Sequence, residues 1–570
     1  MSAKNFFNSI ESVSSPIIYI TLAIISSSVC YGIYTKNTWL ALFCAGLFLA
    51  FVIILSNYKF ALVIFLFFIM NILINLNYYN INIPKNFEGK VRIEQNSVYS
   101  TIVSFKGRRI LLDGKNLNFN QGDIVNISGN FKSQTDSEKG IIGVISVNSI
   151  KNVETDLYAK VLSVRKLLYD MIKDDIGSRR AGLVCSLSYG YTDYLDSEDK
   201  TEMKNLGIIH AISVSGLHVA LIFMILSKIF NKKIALIISF IYVLFTGAVF
   251  SAIRAFLMQL LSEGAFSLKK KNSRISGILL SGAIITLFKP YAPFDLGFQL
   301  SYLATVGIIL FSDKLNRKFY KMPKILAECF AVTIASQVFT LPILIISFNQ
   351  IAVTSFIGNL LIVPILNGVI IIGNLLILVI KVPQVFDFIC YILKEIIGLV
   401  DFISDKIDSV NINLSVNDSF AVLYIVILIS FYFAFKGYKK LIPAAFISII
   451  IVAVYNYSPV PRVDYIKEGG LAISYKGENK IITPKKSIKA SKIMGEYMAS
   501  EVYTEVINVQ INKDFKISTE GNKILLITGE DKHTIKINKL DTISENYDII
   551  DFASGEINGF YVINGKIFRY

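Results

Sequence analysis

Two textures divide the chain: long apolar runs, and stretches in which polar and apolar residues interleave. A membrane-crossing helix needs about 20 apolar residues. Three such runs open the chain, at about 17–35, 38–56 and 60–79, with very short loops between them. Residues 81–156 then alternate with period two through VRIEQNSVYSTIVSF, GRRILLDG, GDIVNISGNF and GIIGVISVNSI, punctuated by Gly, Asn and Asp. This pattern predicts about five strands, and a unit of that size suits a small OB-like barrel. Amphipathic helices are expected over 157–207. Apolar segments return ten times between about 208 and 457, and 459–570 reads as a soluble β-rich domain.

Loop charge orients this parse. Basic clusters fall at Lys228/Lys232/Lys233, Lys269/Lys270/Lys271/Arg274, Arg317/Lys318/Lys321/Lys324 and Lys436/Lys439/Lys440. Neighbouring clusters are separated by even numbers of apolar segments, so all four fit the cytoplasmic side together. Three spans before residue 81 and ten after 207 then place both β-rich regions outside. The expected fold class is a polytopic α-helical membrane protein with an extracytoplasmic five-stranded OB-like β-barrel and a small β-rich C-terminal domain. Its divisions are three transmembrane helices in 1–80, the barrel in 81–156, amphipathic helices in 157–207, a transmembrane domain in 208–458 and the terminal domain in 459–570. The segments at 251–266 and 384–402 carry charge (Arg254 and Glu263; Asp387, Lys394, Glu395 and Asp401), so either may be re-entrant or pore-lining.

Composition agrees with a membrane protein: 53% of the 570 residues are hydrophobic and 17% charged. The formal charge of +15 suggests an anionic partner at first sight. However, the barrel segment holds ten basic against eight acidic residues, and 460–570 holds sixteen against fifteen. Much of the surplus lies in the loop clusters, which set topology. Cys30, Cys44, Cys185, Cys329 and Cys390 have no metal or redox spacing and read as reduced thiols in apolar surroundings.

Polar residues inside apolar segments are the candidate chemistry, because they either bond neighbouring helices or face a water-filled path. His210 and His218 bracket Ser213, Ser215 and Gly216 in one segment. Arg254 stands in an apolar run, where it would meet a phosphate, pair with Glu263 or Asp295, or snorkel to the interface. Asp295, Phe298, Gln299 and Ser301 form another polar insertion, followed by Gln337, Pro342, Asn359 and Pro364. Prolines within spans break helices, a device of membrane transporters. In the barrel, Lys106, Arg108, Arg109 and Lys115 with Tyr99, Phe105 and Phe119 have the composition of a single-strand-binding surface, although such aromatics also fill barrel cores.

Three blocks carry a resemblance. GLVCSLSYG leads into NLGIIHAISVSGLHVALIF, then FTGAVFSAIRAFLM into PYAPFDLGFQLSYLATVGIILF, then ASQVFTLPILIISFNQIAVTSFIGNLLIVPI, in order over about 182–377. These blocks resemble the ComEC competence DNA-channel family. The resemblance implies a channel in the cell membrane that admits one strand of transforming DNA, with His210, Ser215, Gly216, His218, Arg254, Phe298, Gln299, Ser301, Pro342, Asn359 and Pro364 as motif residues. It implies single-stranded DNA, membrane lipid and a DNA-receptor protein as partners. Many family members also end in a metallo-β-lactamase-like nuclease domain. Residues 460–570 hold one histidine, His533, and the chain has no HxHxDH run, so no metal or other cofactor, no catalytic residue and a separate nuclease are expected. No Walker motif is present, which assigns ATP-driven translocation to a cytoplasmic ATPase. Two other classes fit the same broken segments: a transporter of small anions or lipid-linked substrates, and an intramembrane serine protease built on Ser215. The protease is disfavoured because both histidines share the serine's own segment.

Overall fold

In the computed structural model, residues 16–55, 58–97, 100–114, 119–212, 216–267, 274–409, 413–435, 437–466 and 470–483 are described, together with shorter stretches of 494–570. The chain falls into two compact units, Met1–Thr340 with Thr354–Asn411, and Leu341–Val353 with Ile412–Tyr570.

The first unit opens with three helices, α1 (Pro16–Tyr34), α2 (Thr38–Leu55) and α3 (Tyr58–Tyr79). Buried Asn71 ties α3 to α1, its Nδ2 lying 2.8 Å from Ile24 O, 2.7 Å from Ser27 Oγ and 2.8 Å from Ser28 Oγ, acceptors that share its two hydrogens. Five strands follow: β1 (Asn86–Ser97), β2 (Ser100–Phe105), β3 (Arg108–Asp113), β4 (Ile124–Lys132) and β5 (Ile141–Glu154). They close into a barrel of order β1-β2-β3-β5-β4, in which only β3 and β5 run parallel. Alternate residues such as Val91, Ile93, Val103, Ile110, Val125 and Ile127 fill its core. Register shifts in β1, β3–β5 and β4–β5 supply the bends that a small barrel needs. Lys106 and Gly107, at φ 50° and 77°, make the tight β2–β3 turn.

Three helices follow the barrel, α4 (Leu157–Ile176), α5 (Ser178–Tyr189) and α6 (Ser197–Asn205). Asp156 caps α4 by accepting from Ala159 N and pairs with Arg92 of β1 at 2.6 Å. The unit continues through α7 (Gly216–Ile229), α8 (Lys232–Phe245), α9 (Phe250–Ser267), α10 (Arg274–Phe288), α11 (Leu296–Lys318), α12 (Lys324–Phe348, of which 341–348 belong to the second unit), α13 (Ser355–Val379) and α14 (Pro383–Asp408). Its largest core joins α4, α5, α7, α8, α9, α13 and α14, so the amphipathic helices expected over 157–207 pack into the helical core.

The second unit holds a short ribbon of β6 (Gln350–Ala352) and β7 (Asn413–Ser415), the helices α15 (Asp418–Phe435) and α16 (Ile442–Tyr457), and two sheets. The six-stranded sheet is built of β8 (Arg462–Ile466), β9 (Gly470–Tyr475), β10 (Glu478–Ile482), β11 (Glu501–Tyr503), β17 (Gly559–Ile563) and β18 (Lys566–Arg569). The five-stranded sheet takes β12 (Asn508–Asn512), β13 (Phe515–Glu520), β14 (Lys523–Thr528), β15 (Asp531–Lys536) and β16 (Asp548–Asp551). One core draws Val463, Leu471 and Ile473 from the first sheet and Phe515, Ile517 and Leu526 from the second, so the sheets pack face to face. Strand β9 is buried on both faces because Met494, Tyr497 and Ala499 cover its far side.

Helices form at all thirteen expected spans, but not with equal membrane character. Six, α1, α3, α11, α12, α13 and α15, are long and apolar enough to cross a membrane, and α2, α7, α10 and α16 are shorter apolar helices. The rest are α8, α9 and α14. In α14 the apolar residues Phe386, Cys390, Leu393, Ile397 and Val400 form a buried stripe beside exposed charges, the pattern of an amphipathic core helix. The expected span at 208–230 is not one continuous α-helix at its start. Residues 209–211 form a 3-10 turn carrying exposed His210, and α7 is described from Gly216, with His218 buried.

Candidate functional site: a barrel cleft and a buried arginine

The barrel sits on the helices of its own unit through polar contacts at the end of α3. Arg108 Nε and Nη2 donate to Tyr78 O and Asn77 O, both at 2.8 Å, satisfying carbonyls that the helix end leaves open. Tyr78 Oη donates to Gly140 O at 3.0 Å and Tyr79 Oη to Ser137 O at 3.1 Å. Arg109 Nε pairs with Glu94 at 2.7 Å, and its guanidinium lies 4.4 Å from the ring centre of Tyr291. Burial works against the Arg109 charge, but Tyr291 and the Glu94 carboxylate outweigh it and raise its pKa.

These contacts border a cleft of about 520 Å³ between the barrel and the loop entering α11. In β2 and β3, Thr101, Val103, Ile110 and Leu112 point inward, so Ile102 and Leu111 point outward. Pairing sets Ile102 beside Leu111 and Leu111 beside Val144, which makes an apolar row across three strands. The row, with Arg109, forms one wall, and Tyr291 and Asp295 stand on the other.

Helix α11 leads away from this cleft. Asp295 caps it by accepting from Phe298 N at 2.9 Å, and Gln299 Nε2 donates to Pro293 O at 2.8 Å. Phe298 is buried between Phe250 and Tyr302, at centroid distances of 6.1 and 4.3 Å. One turn further, Ser301 O accepts from Thr305 Oγ1 at 2.8 Å, and Thr305 Oγ1 accepts from Arg254 Nη1 at 2.7 Å. From Leu296 to Thr305 is about 14 Å at the helical rise.

Arg254 is 8% exposed. Neither carboxylate expected as its partner takes that role: Glu263 pairs with Lys232 at 2.9 Å and Asp295 is the α11 cap. Among the described residues no ion pair reaches Arg254. A Cβ on Gly216 would lie 2.6 Å from its Nη2, so the first residue of α7 approaches the guanidinium closely. Gln337 donates to Ser355 Oγ at 3.1 Å and Asn359 to Thr333 Oγ1 at 3.4 Å, which joins α12 to α13 beside the interior prolines Pro342 and Pro364.

The model of the Competence protein family matches residues 187–437, which contain every membrane motif residue above. Residues 187–437 therefore carry a Competence protein domain, the domain of the ComEC resemblance. The chain is similar to ComE operon protein 3 of Bacillus subtilis (strain 168), 31% identical over 230 residues, covering 38% of this chain and 29% of that protein. An uncharacterized protein of Aquifex aeolicus (strain VF5) is 24% identical over 268 residues, 46% of this chain and 63% of the relative. The chain thus spans less than two thirds of the length of these relatives. No solved structure matches it.

Within this chain the expected residues separate into groups. Gly216 and Arg254 meet, joined by α11 through Phe298 and Ser301, whereas Asp295 and Gln299 hold the entry to α11. Ser213, Ser215, Tyr99 and Lys115 lie outside the described residues. In the barrel, Arg108 and Arg109 are occupied at the junction. Phe105 packs edge-on against Phe87 at 5.1 Å, and exposed Lys106 sits over the Phe105 ring at 5.3 Å. Phe119 packs against the barrel core. Tyr291, Tyr302 and Thr305 escaped the sequence reading, since only folding carries them to the arginines. Among the described residues no cluster of His, Cys, Asp and Glu has metal-site geometry.

Proposed function

We propose that the chain is the membrane conduit through which single-stranded transforming DNA enters the cell in natural competence. The observation that carries this reading is Arg254, a buried guanidinium with no carboxylate partner among the described residues, one helix away from the outward face of an OB-like barrel. OB barrels bind strands on the face of their second and third strands, and here that face borders the cleft that α11 leaves. In this proposal the barrel and the C-terminal domain are extracytoplasmic. The barrel receives the strand on its apolar row, and the path continues past Gly216 and Arg254. The chain acts without bond-breaking chemistry. A DNA-receptor protein delivers the strand, a separate nuclease removes its complement, and a cytoplasmic ATPase pulls it inward.

The test is deletion in a transformable host, with complementation at equal protein level. Labelled duplex should still bind the deletion strain's surface while import of one strand into the cytoplasm is lost. Undiminished strand import refutes the proposal. Arg254 also has the charge for a small inorganic anion; uptake of labelled phosphate or sulfate lost in place of DNA import would select that reading.

A further inference from the structure

The environment of Arg254 is neutral wherever it is described. Thr305 Oγ1 lies 2.7 Å from Nη1, the Met258 sulfur 3.6 Å from the same nitrogen, and the Tyr302 ring centre 5.8 Å from the guanidinium carbon. Nε has no partner. Thr305 is fully engaged, because its hydroxyl hydrogen goes to Ser301 O. Burying a cation without a counter-charge is among the costliest arrangements in a protein. Such a group marks a site that a ligand completes. A planar fork with an unused Nε edge matches an oxyanion that offers two oxygens side by side. Gly216 keeps the Nη2 side clear, since even a methyl group there would press on the guanidinium.

We infer that Arg254, Gly216 and Tyr302 form a phosphate-diester subsite, which takes one linkage of the strand at a time. The identity of the diester-bearing chain rests on the conduit reading; the anion site does not. One cation meets one diester charge, and Met258, Thr305 and Tyr302 beside it are only half-buried. A single compensated charge also suits a path, where binding must favour entry yet permit release.

The experiment uses the full chain in a maltoside detergent, which has no phosphate. The probes are dimethyl phosphate and an oligothymidylate with either phosphodiester or uncharged methylphosphonate linkages. Dimethyl phosphate should raise the thermal midpoint of the wild type and not that of Arg254→Gln. Oligonucleotide affinity should fall about tenfold or more, the loss of one charge-assisted contact, both in Arg254→Gln and with methylphosphonate linkages. Without ligand, Arg254→Gln should melt no lower than the wild type, because it removes an uncompensated charge; a structural arginine would melt lower. Gly216→Ala keeps the charge and should still weaken dimethyl phosphate binding, so the inference remains testable if Arg254→Gln fails to fold. No response of the wild type to dimethyl phosphate overturns the subsite, even if deletion abolishes import. Arg254-dependent diester binding with normal DNA import in Arg254→Gln keeps the subsite and overturns its use in the conduit. If phosphatidylglycerol displaces dimethyl phosphate and the oligonucleotide does not bind, the diester is a lipid's and the strand assignment falls.

Discussion

Arg109 is the residue at which two readings of the barrel diverge most sharply. Its residue type and place in a barrel strand suit a nucleic-acid contact, yet its side chain holds Glu94 at 2.7 Å and stacks on Tyr291 at 4.4 Å. Arg109→Ala should therefore loosen the junction first. Its side chain is 23% exposed and that of Glu94 is 30% exposed, between a surface pair and a buried one. Surface pairs contribute about 0–1 kcal/mol, and breaking a buried one costs about 3–5 kcal/mol. We expect a loss of about 2 kcal/mol, within which the stacking on Tyr291 accounts for about 1 kcal/mol. Amide exchange of β3 and of residues 289–296 should then speed by roughly 30-fold if the junction opens as one unit. A cycle with Tyr291→Ala should return about 1 kcal/mol of coupling. Lys106→Ala, in the exposed turn, should leave exchange unchanged. Exchange within twofold of wild type for Arg109→Ala, or additive single losses with Tyr291→Ala, would refute the junction role and return Arg109 to the strand-binding surface.

Other positions yield further expectations. Gly140 has φ 72°, and a Cβ there would run into the Tyr291 ring, so Gly140→Ala should cost about 1–3 kcal/mol and open the same amides by exchange. Asn71→Ala removes the polar contacts between α3 and α1 and should destabilise the full chain by about 1 kcal/mol, read from its unfolding midpoint in detergent. The Arg92 guanidinium and the Ala159 N–H hold the Asp156 carboxyl below its usual range. Its stabilisation should be complete above its unfolded pKa of about 3.9 and fade as pH falls through the lower folded value, so the difference in midpoint between wild type and Asp156→Asn should shrink on acidification.

The barrel was readable because each of its strands states its own burial. Val103, Ile110, Leu112, Val125 and Ile127 alternate with polar or outward residues, and the Lys106–Gly107 turn is marked by its glycine. The closing pairs of β1 with β4 and β3 with β5 leave no such local mark. Membrane character was harder to read. Apolar content alone treats α8, α9 and α14 like the other apolar segments, whereas helix length and the burial of one face set α14 apart.

The arginines show where local reading must stop. For Arg254, sequence proximity offered Glu263 and Asp295, but each is held elsewhere, by Lys232 across 31 positions and by the first turn of α11. For Arg109, no local cue foretold Tyr291, which lies far along the chain and arrives only when the loop into α11 folds against the barrel. Local pattern therefore reports which side chains are buried, while partners at long sequence separation decide whether a buried charge is satisfied. Arg108 and Arg109 belong to satisfied networks and serve the architecture. Arg254, equally basic and more deeply buried, is left with a hydroxyl, a thioether and an aromatic ring, and that contrast within one unit is the physical ground for placing the anion site in the helices rather than at the barrel junction.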